Sequence, residues 1–260
     1  MRDLPNRFRD FVPDLVDRLS LTPLPPPALR ARVGLGSSRR EFVDVGTRAA
    51  ASILRAFDEA TSASGSGDFG RWLDFGCGCG RVARSLIDSK RVQRLTGVDI
   101  DRPAVSWCRR HLLGEFAVSP PRPPLEYEAG AFDVVCAVSV FTHMAEAEQD
   151  AWVAELGRVL RVGGILIATT LSPELTWTRP DLTPSQHAAL RDTGFLYAPA
   201  SDRFNDNAAF QTLESQRGRW GKLFALEWSR PFGLVDYLDL SIWKKRPTSP
   251  SASSLREVSG

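Results

Sequence analysis

Lysine, histidine and cysteine are scarce in this sequence. Only Lys90, Lys222, Lys244 and Lys245 are lysines, so the 33 basic residues are almost all arginine. They are offset by 31 acids, for a formal charge of +2. Without a basic excess, the chain does not read as a nucleic-acid binder held by bulk electrostatics. Four cysteines in 260 residues do not make a disulfide framework. No apolar run approaches the roughly 20 residues of a membrane helix. The start, Met1-Arg2-Asp3-Leu4-Pro5, has no apolar core of the kind a signal peptide carries. These absences predict a soluble, cytoplasmic protein with no membrane and no nucleic-acid partner. What is present, 43% hydrophobic and 25% charged residues, is ample for a sizeable core. The length allows one large domain or two small ones. The arginine excess, with many Ala and Pro, reads as a compositional habit.

The first 45 residues are rich in arginine and proline. Leu24-Pro25-Pro26-Pro27 is expected not to be helical, because proline removes a donor and restricts the residue before it. Helices are expected near residues 9–19 and 42–57; in the second, Phe42, Val45, Ala49, Ile53 and Phe57 recur at helical spacing. Residues 61–67 read as a connector. From Trp72 strands and helices alternate: strands at 71–75, 95–99, 132–141 and 165–170, helices at 81–87, 103–113 and from Trp152 to a stop at Gly163-Gly164. Such alternation means βαβ units and a parallel sheet covered by helices. Thr183-Pro184-Ser185-Gln186 reads as a capped helix start. Two late strands are expected at 224–228 and 234–243, the second an antiparallel partner at the sheet's end. The expected divisions are an N-terminal cap over 1–45, the main domain over 46–246 and a loose tail over 247–260.

The sharpest feature is Leu73-Asp74-Phe75-Gly76-Cys77-Gly78-Cys79-Gly80. Glycines between a strand and a helix let the backbone turn tightly and approach a ligand. Asp99 follows Gly80 by 19 residues, near the roughly 20-residue spacing at which an acid meets ribose hydroxyls. The pattern is GxGxG, with Arg81 where a dinucleotide-binding turn would carry its third glycine later. The preceding acid, Asp74, is unhelpful for a phosphate and suits an ammonium or sulfonium charge.

These residues resemble the first motif of class I S-adenosylmethionine-dependent methyltransferases. Gly97-Val98-Asp99-Ile100-Asp101 is similar to that family's second-strand acidic motif. Phe132-Asp133-Val134-Val135, continuing to Ser139-Val140-Phe141-Thr142-His143-Met144, resembles its fourth strand and exit loop. Leu160-Arg161-Val162-Gly163-Gly164 resembles the turn before its fifth strand, with Val162 where proline is usual. The resemblance implies a Rossmann-like α/β fold: a seven-stranded, mostly parallel sheet with an antiparallel last strand and helices on both faces. It implies S-adenosylmethionine as cofactor and a small-molecule substrate. Gly76, Cys77, Gly78 and Gly80 would line the methionine moiety, and Asp74 would face its amino group. Asp99 would bind ribose, with Ile100 beside adenine, while Ser139 and Val140 would lie near the transferred methyl. Asp133 reads as structural and Asp101 as a helix cap. No acid follows the third strand near 116–120 to meet adenine.

Direct attack on a sulfonium methyl depends chiefly on alignment. His143 is the one candidate general base, at the edge where open α/β sheets bind ligands; its other reading is a structural residue bonded to backbone. Cys77 and Cys79 form CxC without a second pair, which is not a zinc pattern, and no metal is expected. Residues 25–36, with Arg30 and Arg32, could fold over the cofactor mouth. Phe195, Tyr197, Phe204, Phe210, Trp220 and Phe224 read equally as a pocket lining or as a small secondary core. Two other functions stay open: a non-catalytic cofactor-binding protein, and a nicotinamide-dependent oxidoreductase, which the GxGxG spacing disfavours.

Overall fold

The computed structural model describes residues 23–34, 38–62, 69–200 and 206–247. The helix expected at 9–19, most of the connector, Phe204 and the tail from 248 onward lie outside the described residues.

Nine strands are described in chain order: β1 (Arg71–Phe75), β2 (Arg94–Asp99), β3 (Glu115–Val118), β4 (Phe132–Ala137), β5 (Leu160–Thr170), β6 (Phe195–Ala198), β7 (Ala208–Gln211), β8 (Phe224–Leu234) and β9 (Leu238–Lys245). Seven form one sheet in the order β3-β2-β1-β4-β5-β9-β8, while β6 and β7 pair separately. Strands β1 to β5 pair in parallel, and β9 runs antiparallel to both its neighbours. The expected α/β sheet with an antiparallel last strand is therefore present. The final strand is not at the sheet's end, however; it is inserted between β5 and β8. It also starts at Leu238 rather than 234, because Val235 and Asp236 adopt positive φ (49° and 58°) in the turn that reverses the chain.

The helices are α1 (Pro27–Arg30), α2 (Arg39–Thr61), α3 (Arg81–Asp88), α4 (Arg102–His111), α5 (Glu146–Val159), α6 (Pro184–Thr193) and α7 (Leu213–Trp220); Pro27, expected outside any helix, opens α1 because a first-turn residue needs no N–H partner within the helix. Ser38 caps α2 by accepting from Glu41 N at 3.2 Å, so the helix starts before the expected 42 and the boundary set between 45 and 46 falls inside it. The sequence's capping box at Thr183 and Gln186 is formed.

Side-chain alternation along β1 divides the core. Trp72 packs with Phe42, Ile53 and Phe57 of α2 and Val82 and Leu86 of α3. Leu73 and Phe75 point the other way, toward Trp152 and Leu156 of α5 and Trp220 of α7. All six residues of β4 are buried, as a central parallel strand requires.

Three expectations change. Strand β4 stops at Ala137, four residues short of 141, because Ser139 takes φ 58° and turns the chain. Helix α5 stops at Val159 without glycine: Leu160 is already extended and pairs with Phe132, so Gly163 and Gly164 lie inside β5. They serve a bulge there, since a Cβ on Gly164 would lie 2.9 Å from Asp133 O. Phe210, Trp220 and Phe224 belong to the main core: all three are fully buried, with Trp220 5.1 Å from Phe141 and 5.3 Å from Trp243 between ring centroids.

Candidate functional site

The turn after β1 is held to β2 by its own amides. Gly76 N and Cys77 N both donate to Val98 O, at 2.8 and 3.0 Å, and Gly80 N donates to Cys77 O at 2.9 Å. Gly78 N donates to Asp99 Oδ2 at 2.7 Å. The four residues expected to line the methionine moiety through backbone thus use their N–H groups internally.

Glycine is nevertheless required at 76, 78 and 80. Their φ angles are 78°, 53° and 79°, the left-handed region that favours glycine. The space a side chain would need is also filled, by Val140 at Gly76, by Val33 Cγ1 at Gly78 (2.7 Å) and by Leu112 and Cys108 at Gly80. The close approach read from the sequence is, in this structure, an approach of the chain to itself.

Asp74 lies beneath this turn, 2% exposed, and no hydrogen-bond partner reaches its Oδ2 among the described residues. Burial pushes its carboxyl up to about 7, and the nearby Asp99 charge adds to the effect. Asp99 closes the other side. Its Oδ1 accepts from Asp101 N at 2.8 Å, and burial raises its pKa even though the Asp101 and Gly78 amides favour the charged form. Ile100, beside it, is 42% exposed, unusual for a large apolar side chain.

The β4 exit turn packs onto this corner through Val140. Ser139 N donates to Thr169 Oγ1 at 2.8 Å, and His143 N donates to Val140 O at 3.1 Å. A carbonyl oxygen can only accept, so His143 Nδ1 donates to Asn207 O, 2.8 Å away. That fixes Nε2 as the nitrogen with the lone pair. Burial holds the imidazole below its ordinary pKa, against opposing pulls from Asn207 O and Asp206. The backbone-bonded alternative for His143 is realised, and the same bond leaves the ring in a basic tautomer.

The thiols offer no second chemistry. Burial pushes Cys79 up to about 12, and Cys77 is raised first by its hydrogen bond with Cys108 and then by burial. Protonated thiols are poor nucleophiles and poor metal ligands.

The sequence model of the methyltransferase domain family matches residues 73–168, the stretch from β1 into β5 that carries all these turns. That stretch of the chain is thus similar to the methyltransferase domain family. Three curated relatives share parts of it. A fatty-acid O-methyltransferase from Mycolicibacterium smegmatis is 29% identical over 180 residues, 67% of this chain and 63% of that protein. A malonyl-[acyl-carrier protein] O-methyltransferase from Enterobacter lignolyticus is 32% identical over 45% of this chain and 47% of its own length. A phthiotriol/phenolphthiotriol dimycocerosates methyltransferase from Mycobacterium ulcerans is 35% identical over 40% of this chain and 38% of its own. The chain thus spans less than two thirds of each. Among solved structures, a S-adenosylmethionine-dependent methyltransferase from Methanosarcina mazei aligns with TM-score 0.55 at 18% identity, covering 72% of this chain and 97% of that one. Magnesium protoporphyrin IX methyltransferase from Synechocystis aligns with TM-score 0.55 at 17% identity over 91% and 99%. At these identities the structures share the methyltransferase fold.

Several contributors to the corner have no local sequence signal. Asn207 holds His143 by a carbonyl alone, Thr169 holds Ser139 from β5, and Gln149 binds Phe141 O (2.7 Å) and Met144 O (3.3 Å) from below. Asp133 is structural as expected, accepting from Arg71 N and Arg161 Nε, both at 2.8 Å.

Proposed function

We propose that this chain transfers a methyl group from S-adenosylmethionine to an oxygen of a small, largely apolar acceptor. The observation that carries the reading is the Asp74 carboxylate, buried under the glycine turn with no hydrogen-bond partner for Oδ2 among the described residues. A buried carboxylate of this kind suits a ligand bearing an ammonium and a sulfonium charge, and it disfavours the phosphates of a nicotinamide dinucleotide.

The residues present fit that cofactor. Asp74 would hold the amino group, with the methionine moiety against Gly76, Cys77, Gly78 and Gly80. Because the turn's amides are engaged, those residues would contact it through Cα faces and carbonyls. Asp99 retains further lone pairs for ribose hydroxyls after its two backbone bonds, and exposed Ile100 would cover adenine. When bound, the cofactor supplies an electrophilic methyl on sulfur. Ser139 and Val140 would border the reacting atoms, and His143 Nε2 would take the proton of a hydroxyl acceptor. An acyl or lipid acceptor is favoured by the names of the relatives, two of them O-methyltransferases. It is favoured too by Trp177, 74% exposed in the 3-10 turn Pro173–Thr178 that follows β5 at the ligand-bearing edge. All four cysteines are free thiols, which suits action in a reducing cytoplasm.

The test is calorimetry with S-adenosylhomocysteine and with NAD, followed by incubation of S-adenosylmethionine with a long-chain fatty acid and a fatty alcohol. Binding of S-adenosylhomocysteine and a one-methylene mass gain on either acceptor support the reading. Binding of NAD without S-adenosylhomocysteine sinks it. Binding without transfer to any acceptor favours a non-catalytic role.

A further inference from the structure

The described N-terminal segment, residues 23–34, touches the glycine turn, the helix α3 that follows it and the turn after β2 at separate points. Arg84 Nη2 donates to Pro23 O. Cys79 Sγ approaches Leu29 O at 3.5 Å, and Arg81 Nη1 donates to Gly34 O at 3.2 Å. Arg30, buried, braces the segment internally through Pro25 O at 2.6 Å. Val33 fills the side-chain space of Gly78. Arg32 makes a two-pronged bond to Asp101, with Nη1 2.8 Å from both carboxylate oxygens. Asp101 is the residue whose own N–H holds Asp99 Oδ1. The segment therefore joins the glycine turn on one side to the acidic turn after β2 on the other.

We propose that residues 23–34 form a wall of the cofactor site, and that the Arg32–Asp101 ion pair sets how long an adenosyl ligand stays bound. The inference rests on the cofactor reading above. A ligand held by Asp99 and the turn sits between the two anchors of this strap, and leaving requires the strap to lift. Lifting breaks three contacts at one end of the strap, Arg32 to Asp101, Val33 to Gly78 and Arg81 to Gly34, while the Arg84 and Cys79 contacts keep it tethered. Arg32 is a positioning residue: it acts on the ligand through Asp101 and through the strap.

The experiment measures S-adenosylhomocysteine dissociation by stopped flow on the full chain at low salt, for wild type, Arg32→Ala, Asp101→Asn and the double variant. Asparagine keeps the α4 cap, so the second variant removes only the charge. Because the pair is solvent-exposed, an acceleration of roughly two- to fivefold is expected for each single variant. The double variant should show no further change, and high salt should bring wild type up to the same rate. Hydrogen exchange over residues 23–34 should slow on ligand addition in wild type and much less in Arg32→Ala. Arg48→Ala, which removes a surface pair with Asp236 elsewhere, should leave dissociation unchanged. Equal dissociation from wild type and Arg32→Ala overturns the strap while leaving the cofactor reading intact. Faster association with unchanged dissociation also overturns it, since the strap would then be a competitor for the site. Failure of wild type to bind S-adenosylhomocysteine overturns both.

Discussion

Asp74 sits between Leu73 and Phe75 on β1, but strand alternation turns it to the opposite face, where its register partner Cys136 also lies. The unfolded chain ionises this carboxyl near its ordinary 3.8, whereas the folded chain retains the proton up to about 7. Between those values the native state binds the extra proton, so stability falls as pH rises from about 4 to about 7 and stays low above it. The contribution is on the order of 2–4 kcal/mol at most. Asp74→Asn should flatten urea-unfolding stability across that window and leave the ligand-free protein more stable than wild type at pH 8. A cationic ligand reverses the preference, so affinity for S-adenosylmethionine should rise with pH toward 7, with proton release visible by calorimetry in buffers of different ionisation enthalpy. A variant whose pH profile parallels wild type would show that Asp74 finds a partner in solution. Much at this scale was legible in sequence, because the Asp74 turn and Asp99 are short-range features of a strand, a turn and the next strand. The partners of His143 and Asp101 were not. Asn207 is 64 residues from His143 and contributes only backbone, and Arg32 is 69 residues from Asp101.

Helix α2 meets the start of α3 at Gly46. A Cβ there would collide with the backbone oxygen of Arg81, the first residue of α3. Alanine raises helix propensity by about 1 kcal/mol relative to glycine, but a backbone oxygen cannot swing aside as a side chain does. Gly46→Ala should therefore be net destabilising by about 1–2 kcal/mol and should weaken S-adenosylhomocysteine binding by displacing Gly80 and Arg81. A raised Tm would mean propensity wins and the two helices have slack. At the opposite end of the sheet, Asp133 ties β4 to Arg71 at the start of β1 and to Arg161 in the β5 bulge. Burial alone would raise its carboxyl pKa, but hydrogen bonds from Arg71, side chain and backbone, and from Arg161 hold it below the ordinary range. The stabilisation is thus present at neutral pH and lost on acidification through the lowered value. Asp133→Asn should cost about 1–3 kcal/mol at pH 7, discounted for the exposed arginines. The gap from wild type should narrow in acid; a constant gap would point to packing instead. The same residue explains why the end of α5 was misread: Gly163-Gly164 looks like a helix stop until Asp133, 28 residues from Arg161, is seen to draw the chain into a bulge.

The molecule's C-terminal part is built into the same core as its ligand edge. Periodicity identified both late strands but not their place, because insertion of β9 between β5 and β8 depends on pairing between residues far apart in the chain, from Thr170 with Asp239 to Ile165 with Lys244. That insertion brings Trp243 beside Trp220 of α7, and Trp220 in turn packs on Phe141, two residues before His143. A fold connected in this way should unfold as one unit. Trp220→Ala removes a fully buried ring and should cost about 3–5 kcal/mol, shifting far-ultraviolet dichroism and tryptophan fluorescence transitions together. Trp220→Phe should cost much less than a usual Trp-to-Phe exchange, because the indole Nε1 is buried without a hydrogen-bond partner among the described residues and its removal relieves that desolvation. If the β8–β9 hairpin were an appendage, Trp220→Ala would instead split the melt into two transitions, and the part through β5 would keep its midpoint. A single shifted transition, accompanied by a loss of ligand binding that follows the unfolded fraction, is the outcome this architecture requires.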